Sequence, residues 1–137
     1  MQGLQGPSSK LSQFRGKPLI INVWASWCGP CRVEMASLDT LAQRYGGKQF
    51  QVIGISTDDY PDAAASFIMR SGIKFRQFID HDLLLENMLG ANRIPLTLLI
   101  DTQGKVLLKV HGIQEWDSPQ SLELIGRTLK VKLLLNP

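Results

Sequence analysis

Apolar positions follow two rhythms along this chain, and the switch between them marks its elements. Pro18 opens Leu19-Ile20-Ile21-Asn22-Val23-Trp24-Ala25, a near-continuous apolar and β-branched run that predicts a central strand covered on both faces. After Ser26, Trp27 and a Cys28-Gly29-Pro30-Cys31 turn, Met35, Leu38, Leu41, Ala42 and Tyr45 recur every three or four residues until Gly46-Gly47, which predicts an amphipathic helix of about four turns. Residues 50–56 form a second apolar run, and Pro61-Asp62 open a helix that ends at Ser71-Gly72. A short strand is expected over residues 75–79, a short helix over 82–89 ended by Gly90, and a strand over 96–100 after Pro95. Asp101-Thr102-Gln103-Gly104 reads as a turn joining that strand to residues 105–110 in a hairpin, and Ser118-Pro119 cap a last helix predicted to run to about Leu133. The order gives an α/β fold: a mixed sheet with parallel crossovers first, an antiparallel hairpin and a helix last, and helices flanking it on both faces.

Composition adds bounds to this picture. With 137 residues, 44% hydrophobic and 20% charged, the chain fits a single domain over 1–137 able to bury a core unaided. The net charge of +3 comes from scattered Lys and Arg, which reads as a solvated surface and not as a nucleic-acid footprint. The longest apolar stretches fall well short of the ~20 residues that span a bilayer. Residues 1–6 lack the basic start and apolar centre of a secretory signal.

The two cysteines, Cys28 and Cys31, are too few for a disulfide framework and too close to close a long loop, so their role is chemical or metallic. A zinc site needs about four ligands. Only His81 and His111, thirty residues apart, remain as strong candidates, and ligand count argues against a metal. No cofactor is expected. At a strand-to-helix junction the first thiol meets unpaired N–H groups and the positive end of the helix dipole, which favour thiolate. Such placement lowers a cysteine pKa from ~8.5 into the range of ~3.5 to 7.5. Cys28 is therefore the candidate nucleophile, and Cys31, one turn on and facing inward, the candidate resolving thiol. Pro30 stiffens the turn and suits the first helical position.

The segment Val23-Trp24-Ala25-Ser26-Trp27-Cys28-Gly29-Pro30-Cys31 resembles the active-site segment of the thioredoxin superfamily. Ile94-Pro95, just before an apolar strand, resembles that family's cis-proline element. The resemblance implies a thioredoxin fold in which Ile94 and Pro95 face the cysteines, the Ile94 backbone pairs with an extended substrate segment, and Trp27, Gly29 and Pro30 complete the substrate contact. Ordinary half-buried packing is the competing reading of Trp27 and Ile94. Within the superfamily the chain is similar to the TlpA-like (ResA/DsbE-like) branch, on three features: the lead-in Leu4-Gln5-Gly6 with residues 11–17; Ile55-Ser56-Thr57-Asp58-Asp59 followed by an extra helix and strand; and Leu99-Ile100-Asp101 before Gly104.

That resemblance implies a thiol-disulfide oxidoreductase working outside the cytoplasm, in the periplasm or its equivalent, on protein thiols and disulfides such as those of apocytochrome c. It also implies an upstream dithiol donor and a signal or membrane anchor not present in these residues; a monomer is expected. Thioredoxins carry a buried Asp six residues before the first cysteine to handle the resolving thiol's proton, and here that position is Asn22. Several TlpA-like reductases use a Glu three residues after the second cysteine, the position of Glu34. A solvated Glu in a helix's first turns, favoured by the dipole, is the competing reading. Three alternatives to a reductase stand beside it: a disulfide oxidase or isomerase, a peroxidase of the same superfamily, and a non-catalytic binding module. The Cys-x-x-Cys spacing is unlike the lone peroxidatic cysteine of peroxiredoxins.

Overall fold

Strand β2 (Leu19–Trp24) is the axis of the molecule, because both of its neighbours and both of its faces are occupied. The computed structural model describes residues 1–79 and 93–133. The elements in chain order are β1 (Gln2–Gly3), a short 3-10 turn (Leu11–Phe14), β2, α1 (Gly29–Tyr45), β3 (Gln51–Ser56), α2 (Pro61–Ser71), β4 (Arg76–Ile79), β5 (Leu96–Ile100), β6 (Val106–His111) and α3 (Pro119–Leu129). Six strands form one sheet in the order β1-β4-β3-β2-β5-β6. β2 runs parallel to β3, and β3 to β4, while β5, β6 and β1 pair antiparallel to their neighbours. This is the mixed sheet that the alternation of patterns predicts.

The two crossovers, β2-α1-β3 and β3-α2-β4, step in the same direction across the sheet, so the right-handed rule puts both helices on one face. The packing agrees. Ile20 and Trp24 of β2 turn toward a core shared with Met35, Leu38 and Leu41 of α1, Phe67 and Ile68 of α2, and Leu122, Ile125 and Leu129 of α3. Their neighbours Leu19, Ile21 and Val23 turn the other way, into a second cluster with Ile53, Ile55, Leu96, Leu98 and Phe14. The period of two in β2 thus feeds two cores, which is why the run reads as apolar throughout. The helix expected over residues 82–89, and His81, lie outside the described residues.

Helix termini carry the signals expected of them. Ser118 Oγ accepts from the Ser121 amide at 3.2 Å with Pro119 in the first turn, and α2 stops at Gly72, which takes a left-handed φ of 71°. α3, however, ends at Leu129 and not near Leu133: Lys130 adopts φ 57°, and its amide and that of Val131 both return to the Gly126 carbonyl. β6 covers residues 106–111, one residue later than the pattern suggests, and Pro30 is the second, not the first, residue of α1.

One register row crosses the sheet in polar residues. Gln77, Gly54, Asn22 and Thr97 are aligned from β4 to β5. The Gln77 side chain lies over Gly54, where an added Cβ would overlap its amide oxygen, and that oxygen accepts the Trp24 indole N–H at 2.9 Å. Gly54 is therefore glycine because a buried hydrogen bond crosses it. Gly54→Ala is expected to displace Gln77 and cost about 1–3 kcal/mol in urea unfolding, as for a buried donor left unpaired. In a Gln77→Ala background the same change should cost clearly less, and equal costs in both backgrounds would refute the account.

Candidate functional site

The active-site candidates gather where parallel strands end. β2 delivers Ala25, Ser26, Trp27 and Cys28 at its C-terminal end, the edge at which an open α/β sheet presents its loops. Cys28 is the N-cap of α1, with extended backbone at φ −90° and ψ 104°. Its sulfur accepts the Cys31 amide at 3.3 Å, and its carbonyl the Arg32 amide at 3.2 Å. The helix thus directs one of its first free N–H groups, that of Cys31, at this sulfur, as the strand-to-helix spacing predicts.

Cys28 and Cys31 are joined as a disulfide with Cα atoms 5.3 Å apart. Exposure is unequal: Cys28 retains 6% and Cys31 none. An attacking group meets Cys28. Around it the surface is open: Trp27 is 71% exposed, Gly29 and Pro30 are exposed, and a side chain at Gly29 would meet nothing within 4 Å.

Ile94-Pro95 is a cis peptide bond. The Val23–Leu96 pair fixes its position, since one residue beyond it on β5 is Pro95 and one beyond on β2 is Trp24. Pro95 is buried and Ile94 half-buried, packed against both cores. The proline therefore stands at the sheet end that carries the cysteines. From β6 the chain returns to the same place: the Gly112 amide donates to the Pro95 carbonyl at 2.9 Å, and Gly112, at φ 88°, turns the backbone toward Gln114.

Glu34 is buried, 1% exposed, and is not a solvated first-turn residue. It lies one turn after Cys31 on the inward side of α1, over the polar row of the sheet. Asn22 Nδ2 donates to Glu34 Oε1 at 2.9 Å and to Thr97 Oγ1 at 3.3 Å, and the Gln114 amide donates to Glu34 Oε2 at 2.9 Å. Ser37 strengthens the same docking, accepting the Trp116 amide at 3.0 Å. Burial raises the Glu34 pKa above its ordinary 4.5, and the donors from Gln114, Trp116 and Asn22 restrain that rise without cancelling it. The Trp116 indole N–H makes no hydrogen bond of normal geometry among the described residues, so the direct bonds to the carboxylate are those of Asn22 and the Gln114 amide. Asn22, which has no acid of its own, is thus a donor to the acid. Thr97, Gln114 and Trp116 give no sign in the sequence of belonging here, because each reaches Glu34 or Asn22 across 75 residues or more of chain.

His111 is exposed with its ring nitrogen 3.3 Å from the Arg93 carbonyl, and among the described residues no three metal-binding side chains converge. Among the described residues, too, no helix is long and apolar enough to cross a membrane.

Comparison with known proteins accords with this geometry. A family model described as Redoxin matches residues 2–121. The thiol-disulfide oxidoreductase ResA of Bacillus thuringiensis (strain Al Hakam) is 32% identical over 111 residues, 81% of this chain. This chain spans 64% of that relative's length. ResA of Geobacillus thermodenitrificans (strain NG80-2) is 30% identical over 126 residues, 91% of this chain and 72% of the relative. Among solved structures, a DsbF homologue from Corynebacterium diphtheriae superposes with a TM-score of 0.76 at 26% identity, covering 90% of this chain and 81% of its own.

The buried carboxyl has a thermodynamic signature. Because Glu34 holds its proton to higher pH when folded than when unfolded, the native state binds more protons between 4.5 and the raised value, and stability falls as pH rises through that window. Urea unfolding of the oxidised protein from acid to neutral pH is expected to show this decline in the wild type and to lose it in Glu34→Gln.

Proposed function

Because the chain belongs to the redoxin family, in the ResA-like branch of the thioredoxin superfamily, we propose that it is a thiol-disulfide oxidoreductase that reduces disulfides of exported proteins. The observation that carries this reading is the asymmetry of the pair: Cys28 sits at the N-cap of α1, where thiolate is favoured and attack is possible, and Cys31 is fully buried one turn behind it.

In the proposed reaction the Cys28 thiolate attacks one sulfur of a substrate disulfide. That S–S bond breaks, one substrate thiolate leaves, and a mixed disulfide forms on Cys28. Cys31 then gives up its proton and attacks Cys28 Sγ, closing the Cys28–Cys31 disulfide and releasing the second substrate thiolate. Two electrons pass from the dithiol to the substrate, and an upstream dithiol donor restores them. Glu34 takes the Cys31 proton in this scheme. Its raised pKa brings the carboxylate toward neutrality, where a base is most effective, and its place three residues after Cys31 on the same helix face supports the role.

Trp27, Gly29 and Pro30 line the approach, and the edge formed by Ile94 and Pro95 receives an extended substrate segment by main-chain pairing. Apocytochrome c is one substrate that suits this scheme, and an extracytoplasmic setting is the compartment proposed for it. No metal or organic cofactor enters any step. The disulfide oxidase reading differs only in the direction of electron flow, which the potential of the pair decides.

Insulin reduction tests the proposal. Cys28→Ser should lower the rate at least about a hundredfold, since the nucleophile is lost; a rate equal to wild type would refute Cys28 as the nucleophile, and no turnover in the wild type would leave only a binding module. Cys31→Ser should accumulate a mixed disulfide on Cys28 that can be identified by mass. Glu34→Gln should slow release of that intermediate by about 10²-fold or more, the range for a lost proton acceptor, with the first attack little changed.

A further inference from the structure

A second buried carboxylate lies behind the nucleophile, on the loop that follows β3. Asp58 is 5% exposed. Its Oδ2 accepts the Ser26 amide at 3.0 Å and the Ser56 hydroxyl at 2.5 Å, and its Oδ1 accepts the Ser26 hydroxyl at 2.6 Å. The Asp58 amide in turn donates to Ser56 Oγ at 2.9 Å, which fixes the carboxylate on its own strand end. Next to it, the Thr57 amide and hydroxyl both reach the Trp24 carbonyl, at 2.8 and 3.3 Å.

We infer that Asp58 is a positioning residue for Cys28: by gripping Ser26 with both carboxylate oxygens it fixes the turn that sets the nucleophile on the N-cap of α1. The segment it grips is the four-residue path, Ala25 to Cys28, between a buried strand and the helix. Its ends, Ala25 and Cys28, are buried, but between them Ser26 is only half-buried and the Trp27 indole is 71% exposed, so the middle of the path is not held by packing. Cys28 closes the turn by donating its amide to the Ala25 carbonyl at 3.1 Å, and Ser26 lies inside that turn. A carboxylate binding both the amide and the hydroxyl of one residue fixes orientation as well as distance, and charge-assisted bonds are the strong ones. The contribution must be geometric, since a negative charge close to Cys28 would by itself disfavour thiolate.

Geometry and charge are separable by substitution. In Asp58→Asn the side-chain amide oxygen can take the place of Oδ2, and the side-chain nitrogen can donate to the Ser26 hydroxyl, so this variant keeps the grip and removes the charge. Asp58→Ala removes both. The measurement is iodoacetamide alkylation of Cys28 in the reduced protein as a function of pH, alongside insulin reduction. Asp58→Ala should slow both about tenfold, as for a displaced reacting group, and should raise the pH midpoint of alkylation. Asp58→Asn should remain within about threefold of wild type, a loss of less than one charge-assisted bond.

An unchanged Asp58→Ala midpoint in a folded variant would overturn the inference. So would a midpoint that falls equally in both variants, because the carboxylate would then act by charge. If Asp58→Ala does not fold, Ser26→Ala decides alone: alkylation slowed about threefold by the lost hydroxyl bond supports the inference, and a wild-type rate and midpoint overturn it. The inference rests on Cys28 being the nucleophile, but alkylation needs no substrate. A wild-type Cys28 no more reactive than a free thiol would defeat the functional reading, whereas a reactive Cys28 indifferent to Asp58 would defeat this inference only.

Discussion

The Cys31 amide pointing at Cys28 Sγ, 3.3 Å away, is the contact on which the rest of the site depends. It is a helix cap made with sulfur in place of the usual oxygen, and it makes the start of α1 and the electrostatics of the proposed nucleophile one feature. Everything that locates the start of α1 also locates the thiol. β2 is pinned on both sides by β3 and β5, and the inward side of α1 is fastened to the sheet row by Glu34 and to the loop after β6 by Glu34 and Ser37. Pro95 enters the same corner just ahead of β5.

The two buried carboxylates of this corner show how one kind of group serves two ends. Asp58 has three donors on its two oxygens, two from Ser26 in the loop after β2 and one from Ser56 at the end of β3. Glu34 has one hydrogen bond to each oxygen, from Asn22 and the Gln114 amide, and desolvation outweighs them. A fully gripped carboxylate suits holding, whereas a dehydrated one with a raised pKa suits exchanging a proton at neutral pH. Asn22 completes this division. Where thioredoxins carry an acid at this strand position, this chain carries an amide that supports an acid on the helix above it.

How much of this could be read from the residues depends on how far each interaction reaches along the chain. β2, α1, α2 and the β5–β6 hairpin are announced by local signals: the apolar run after Pro18, the spacing from Met35 to Tyr45, Pro61, and Asp101 with Gly104. The Cys28–Cys31 pair and Ile94-Pro95 are legible for the same reason, as short motifs in the right context. The burial of Glu34 is not, because a Glu in the first turns of a helix satisfies the dipole equally well in water. Its surroundings depend on Gln114, eighty residues away. Ser26 and Asp58 likewise read as ordinary loop residues until the parallel pairing of β2 and β3 brings their loops together. β1 is only two residues long, and α3 stops at Lys130 with no glycine or proline there to mark it. Both are decided by tertiary contacts that local patterns do not encode.

The central claim is that the fold makes Cys28 a thiolate at working pH. Titrating the thiolate absorbance of reduced Cys31→Ser protein, in which Cys28 is the only thiol, measures it without substrate or partner. The account predicts a midpoint within or below the range of ~3.5 to 7.5 found for cysteines at helix N-termini. A midpoint at or above the ~8.5 of a free cysteine would contradict it.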